Sequence, residues 1–202
     1  MSEPLSALSG LPIPFEDSAQ EQGWIARVRH GDSLAFKAIY DRYSDAMFAF
    51  AYSSLKSREE AEDVVHDIFF NILKSRESWN VNGELRTYLM RSVYNRVATL
   101  RRHLRVELAS HETLVREADS PEEWAYRGST DAPLLEQELG HAVARAVESL
   151  PPRSQQAYRL VREQALTYAA AASVMGISTH TVEIHLIRAL KALRDQLASW
   201  RR

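Results

Sequence analysis

The chain has 202 residues, a net charge of −2, 45% apolar and 26% charged residues, room for one domain or two small ones and too ordinary a balance for global disorder. Cysteine is absent, which excludes a disulfide framework, a zinc–thiolate site and a cysteine nucleophile. No apolar run approaches the ~18 residues of a membrane span, and residues 1–23 carry no Lys or Arg, unlike a secretory signal. The expectation is a cytoplasmic protein with no membrane insertion.

The small net charge hides a strong asymmetry: −4 over residues 1–23, +4 over 24–105, −7 over 106–150 and +5 over 151–202. Two basic blocks flank an acidic stretch. Residues 1–23 read as a disordered tail. The first helical pattern, residues 33–55, is capped by Asp32, with Phe36, Ile39, Tyr40, Tyr43, Met47, Phe50 and Ala51 at helical spacing. The second, residues 58–74, opens with a capping box over Ser57 and Glu60. Ala61, Val64, Val65, Ile68, Phe69, Ile72 and Leu73 form its apolar stripe. Glu62, Asp63, His66, Asp67, Phe70 and Asn71 occupy the other face. Phe70 amid acids fits a buried edge or a protein partner. The acids also fit a solvated run, and His66 a plain surface position.

A turn-rich loop, Ser78-Trp79-Asn80-Val81-Asn82-Gly83, precedes the third pattern, residues 84–104. Leu85, Leu89, Val93, Val97, Leu100 and Leu104 form its inner face; Tyr88, Arg91, Asn95 and Arg102 lie opposite. Between Leu85 and Val106 stand six Arg and no acid. An aromatic, an amide and arginines on one face suit bases and phosphates, and a solvated arginine-rich helix is the plain alternative. Residues 106–133 read as a flexible acidic linker, with a short helix around 122–127.

The C-terminal block punctuates sharply. Residues 134–150 are helical and Pro151-Pro152 ends them. Ser154 caps a helix to about residue 164, Thr167 caps residues 168–175, Gly176 ends that helix, and Ser178 caps a last one to about residue 199. A short alanine-rich helix, a glycine turn and a capped second helix make a helix-turn-helix pattern. Val182, Leu186, Ala189, Leu190, Leu193 and Leu197 face inward; His180, Thr181, Ile184, Ile187, Arg188 and Lys191 face out. In this motif the N-terminal part of the second helix reaches base edges and flanking bases of the protein hold phosphates. A plain helical hairpin is the alternative. His180 and His185 lie five apart, poor spacing for two metal ligands on one face. Trp200 fits a core position or a partner contact.

Over residues 23–103 and 134–197 the chain resembles the extracytoplasmic-function (ECF) group of bacterial sigma factors. The first part is similar to sigma region 2 at Gly31-Asp32, Tyr40-Asp41-Arg42-Tyr43, the stretch from Glu60 to Phe69, and Leu85-Arg86-Thr87-Tyr88-Leu89 through Asn95-Arg96-Val97 to Arg101-Arg102. The second is similar to region 4 at Leu150-Pro151-Pro152-Arg153, Leu166-Thr167-Tyr168-Ala169, Met175-Gly176-Ile177-Ser178 and Arg188-Ala189-Leu190. The resemblance implies that Glu62, Asp63, His66, Asp67 and Phe70 bind the beta-prime clamp helices of core RNA polymerase. It assigns Trp79, Asn80, Tyr88, Arg91, Asn95, Arg101 and Arg102 to the minus-10 element, partly single-stranded. It assigns Arg153, Ser154, Ser178, Thr179, His180, Thr181, Glu183, Ile184, His185, Arg188 and Lys191 to duplex DNA at minus-35, with the beta flap as a second docking site. An anti-sigma factor is a further candidate partner. Many relatives carry Lys or Arg where Glu183 and His185 stand, so the minus-35 preference is expected to differ.

The expected architecture is therefore all-α: a tail (1–23), region 2 (24–105), a linker (106–133) and a helix-turn-helix region 4 (134–202). The expected function is promoter recognition and minus-10 melting with core polymerase. The alternative is a stand-alone helix-turn-helix regulator. No P-loop, GxSxG or HExxH motif occurs, so neither catalytic residues nor a metal or other cofactor is expected.

Overall fold

The computed structural model describes residues 18–110 and 134–201. Residues 1–17, most of the expected linker and its short helix lie outside the described residues. Among those described, every regular element is helical: α1 Ser18–Arg29, α2 Ser33–Leu55, α3 Arg58–Lys74, α4 Leu85–Ser110, α5 Leu134–Glu148, α6 Pro152–Tyr158, α7 Tyr168–Met175 and α8 Thr179–Gln196. No described helix is long and apolar enough to cross a membrane.

The tail expected over residues 1–23 already contains the start of α1. This helix buries only Ile25 and Val28, too few apolar positions to show a period. Polar contacts supplement them. Glu21 accepts a hydrogen bond from the Tyr43 hydroxyl, and the Arg42 guanidinium lies 5.7 Å from the centre of the Trp24 ring. Burial, then the Glu21 carboxylate, push the Tyr43 hydroxyl well above its ordinary value. The turn to α2 uses Gly31 at φ +84°. Asp32 then caps α2, accepting from the amides of Leu34 at 2.9 Å and Ala35 at 3.1 Å. The Ala35 amide, followed by the Arg27 guanidinium, holds the Asp32 carboxyl below its usual range.

Helices α2, α3 and α4 form the N-terminal core. Ile39, Met47, Val64, Leu85, Leu89, Met90 and Val93 are all essentially inaccessible. Phe69 sits between the Phe36 and Tyr40 rings, at centroid distances of 5.7 and 4.8 Å. The Ser57 cap forms as expected, with the Glu60 amide donating at 3.3 Å. Leu73, expected in the core stripe, is 40% exposed; it stands in the last turn of α3, past the bulk of α2. Helix α4 runs to Ser110, six residues beyond its expected end.

The C-terminal helices differ from expectation at α6. It starts at Pro152 with Pro151 as N-cap, because proline fixes φ for a first turn and lacks an amide that would go unpaired there. Ser154 is therefore inside the helix and 2% exposed, not its cap. A π-turn, Arg159–Glu163, closes α6. The remaining punctuation is as expected: Thr167 caps α7, Gly176 ends it at φ +65°, and the Ser178 hydroxyl accepts from the Thr181 amide at 3.1 Å.

The two helical units touch. Helix α7, with its run of alanines, packs closely on α4, and buried side chains continue from one unit into the other. Helices α5 and α8 share a second cluster, Ala146, Val147, Leu150, Ala189 and Leu193. Trp200 is half-buried just beyond it.

Two glycine substitutions should have opposite signs. An added Cβ meets nothing within 4 Å at Gly23 or at Gly176, but only Gly176 has positive φ. Gly23→Ala should stabilise α1 by about 0.5–1 kcal/mol, and Gly176→Ala should destabilise the helix-turn-helix by about 1 kcal/mol. Urea denaturation followed by circular dichroism reads both.

Candidate nucleic-acid interface

The arginine-bearing surface of α4 follows from its amphipathic pattern. Leu85, Leu89, Val93 and Val97 are buried, so the side chains roughly opposite, Arg91 and Asn95, are exposed. Tyr88 is half-buried and leans on Trp79, with ring centroids 6.3 Å apart. Trp79 itself is 4% exposed, which corrects its assignment as a DNA contact: an indole in the core is not available to a base. Val81 is buried beside it, and Ser78, Asn80 and Asn82 are the exposed polar side chains of the loop. Arg101 donates to the Ser54 carbonyl at 2.6 Å. Arg102 is exposed at the edge of a cleft facing α6.

The outer side of α8 presents Thr179, His180, Glu183, Ile187, Arg188 and Lys191, all exposed, with Thr181, Ile184 and His185 half-buried. Ser178, also exposed, is engaged as the cap. The His180 ring lies 3.6 Å from the Glu183 carboxylate and gives this acid a local partner. Ile187 is 59% exposed, an apolar contact suited to a thymine methyl. It was placed on the outer face by spacing but not counted among the expected site residues. His185 stands 3.5 Å from the Ser154 hydroxyl. Burial first, then the charges of Arg188 and Arg153, lower its pKa. Near neutral pH His185 thus offers hydrogen bonds without adding charge. Ser154, expected to touch DNA, is enclosed and instead lies behind His185. Arg153 is exposed, but its guanidinium donates to the Tyr94 hydroxyl on α4 at 2.6 Å.

A third surface lies on α3. Asp63 and His66 are exposed, and Phe70 is 65% exposed. Glu62 pairs with Arg58 at 2.8 Å and Asp67 with Arg96 of α4 at 2.5 Å. Exposed Leu73, one turn from Phe70 and expected in the core stripe, joins it in an apolar strip.

Residues 39–106 match sigma-70 region 2 and residues 140–193 match sigma-70 region 4. The ECF RNA polymerase sigma factor BldN of Streptomyces coelicolor is 27% identical over 187 residues, covering 90% of this chain and 67% of BldN. SigW of Bacillus subtilis is 26% identical, covering 86% and 94%. The ECF sigma-E factor of Haemophilus influenzae is 25% identical, covering 88% and 95%. Among solved structures, the fold is similar to that of RpoE from Bartonella quintana (TM-score 0.65, 22% identity, 81% of this chain and 96% of that one) and of CnrH (TM-score 0.61, 21% identity, 89% and 97%). Two sigma-70 regions in chain order, on the two helical units that carry the basic surfaces, show that this chain belongs to the ECF sigma factors.

Proposed function

We propose that the chain binds core RNA polymerase, reads a minus-35 duplex with α8 and opens the minus-10 element with α4. The observation that carries this reading is the separation of three exposed surfaces: the Phe70 strip on α3, the arginine face of α4 and the outer side of α8. A stand-alone regulator has use for the last alone.

In this reading Phe70 and Leu73 bury against the beta-prime clamp helices while Asp63 and His66 meet polar groups at the rim. On α4, Arg91 and Arg102 neutralise phosphates, and Tyr88 and Asn95 engage separated bases, with Asn80 contributing from the loop. Each stacked base contributes on the order of 1–3 kcal/mol, which offsets the cost of opening the duplex. Trp79 supports Tyr88 from beneath. On α8, Thr179, His180, Glu183 and Ile187 face base edges, and Arg188, Lys191 and Arg153 hold phosphates. Glu183 accepts from cytosine N4 where relatives place a cation. The beta flap is a second docking site for this unit. CnrH and RpoE were each solved with another protein, the cytosolic domain of CnrY and the anti-sigma factor NepR, which supports an anti-sigma factor as a partner here.

Asp63→Arg with Phe70→Ala should weaken core binding at least tenfold with unchanged helicity, read by fluorescence anisotropy against purified core enzyme; hot-spot aromatics at interfaces contribute about 2 kcal/mol or more. Intact affinity would remove this face from the mechanism. Arg188→Ala should reduce the slope of log affinity against log salt by about 1, measured for the holoenzyme on promoter DNA. Glu183→Lys should change which members of a promoter library are transcribed in vitro. An unchanged library profile would show that Glu183 is not a reader.

A further inference from the structure

Helix α1 reaches both ends of the loop that carries Asn80. Before the loop, it packs on the single 3-10 turn Arg76–Ser78 that leads into Trp79. The turn after α1 joins this contact, since a Cβ added at Gly31 would stand 3.9 Å from Arg76 Nε. After the loop, Glu21 of α1 faces the first turn of α4 through a cluster of charged side chains. The Glu21 carboxylate accepts from the Tyr43 hydroxyl and lies 3.8 Å from Arg42 Nε. The Arg42 guanidinium stands 5.7 Å from the Trp24 ring centre and 6.0 Å from that of Tyr43. Arg86, half-buried in the first turn of α4, completes the cluster. Burial, before anything else, lowers its pKa; Tyr43, Glu21 and Glu84 counter that, and the Arg42 charge adds to it. Its Nε is enclosed with no hydrogen-bond partner among the described residues, so its position depends on the charges around it.

Two guanidiniums thus share one enclosed carboxylate. The side chains of Glu21 and Arg42 are 14% and 21% exposed, whereas Glu84 stands in solvent at the edge. Charges in such surroundings act on one another several times more strongly than in water. Without Glu21, Arg42 and Arg86 would repel each other across the contact of α2 with α4. Apolar packing cannot take over, because α1 buries only Ile25 and Val28.

This cluster sits behind the residues assigned to bases. Arg86 and Tyr88 are two positions apart, about 200° round the helix, so Arg86 is anchored on the side away from Tyr88. Tyr88 leans on Trp79, and the Trp79 amide donates to the Arg76 carbonyl at 3.1 Å, in the turn that α1 covers. The segment from Arg76 to Tyr88 is therefore fastened to α1 on both sides of the loop.

We propose that α1 is a positioning element for the minus-10 bases and Glu21 its positioning residue: through Tyr43, Arg42 and Arg86 it fixes the loop and Tyr88 in the arrangement that separated bases require. The proposal rests on the assignment of Tyr88 and Asn80 to the minus-10 element made above. Glu21 touches no DNA; it acts through Arg86.

The test uses the full chain, free and assembled with core enzyme, with a spin label on Asn82→Cys in the exposed part of the loop; the natural chain has no cysteine to compete. The probes are a fluorescent single strand with the minus-10 segment of a promoter that wild-type holoenzyme transcribes, and a scrambled strand of the same composition. Tyr43→Phe removes the hydroxyl and keeps the ring. Glu21→Gln keeps the shape and removes the charge. Each should narrow the spin-label spectrum and lower the holoenzyme's preference for the minus-10 strand over the scrambled one by about three- to tenfold, with helicity and core affinity unchanged. The double variant should be no worse than Glu21→Gln alone, because both changes act on one contact. Unchanged spectra in both variants, or a looser loop with strand preference intact, overturn the proposal, as does a double variant in which the two losses add. If Glu21→Gln loses helicity, Tyr43→Phe alone decides. Wild-type holoenzyme that transcribes no promoter, or shows no preference between the strands, would instead remove the functional reading, while the label in the free chain still decides whether α1 holds the loop.

Discussion

The burial of one stripe of α4 constrains nearly everything else in the molecule. Leu85, Leu89, Val93 and Val97 are sealed against α2 and α3, and at 100° per residue that seal determines where every other side chain of the helix points. Arg91 and Asn95 are outward because Leu89 and Val93 are inward. Tyr94, one position round, falls on the flank that meets α6. The helix thus has three distinct sides, and the side that bears Arg91 and Asn95 is held in place because the core side is. Trp79 extends this logic to the preceding loop: the buried indole anchors a turn that would otherwise be free and gives Tyr88 a wall to lean on.

Much of this was legible from the residues alone. The α2, α3 and α8 patterns, the caps at Asp32, Ser57, Thr167 and Ser178, and the Gly176 turn all rest on local chemistry, in which a side chain acts on a backbone group two or three residues away. What was not legible depends on partners distant in sequence. Helix α1 has two buried apolar side chains, and its Glu21 acquires meaning only from Tyr43 and Arg42. Trp79 in a polar loop reads as a surface aromatic until Tyr88 covers it. Ser154 has the right chemistry for a cap, yet Pro152 begins the helix earlier. Leu73 fits the stripe by spacing, but the helix end carries it past its cover. The contact of Arg153 with Tyr94 has no local signature at all.

The α8 surface shows how a helix-turn-helix is retuned without altering its frame. The inward set, Val182, Leu186, Ala189 and Leu193, and the Ser178 cap hold the helix in place. Outward positions are then free to vary. Here the acid Glu183 and His185, whose pKa burial lowers, stand among the outward positions, so this side carries less positive charge than a row of Lys and Arg would give it. Arg188, Lys191 and Arg153 supply the cationic remainder, and Arg153 lies on α6 rather than on the reading helix. Arg153 is also the residue that reaches across to the Tyr94 hydroxyl of the other unit.

That bond belongs to a wider packing of the two units. A contact made of apolar surface alone would bind the units in proportion to area and would be indifferent to DNA. This one also places Arg101 and Arg102 of one unit and Arg153 of the other around a cleft that no carboxylate among the described residues lines. Three guanidiniums around one cleft repel one another and oppose the apolar packing that holds the units together. Apolar packing of α7 on α4 brings the units together, and the guanidiniums around the cleft work against it.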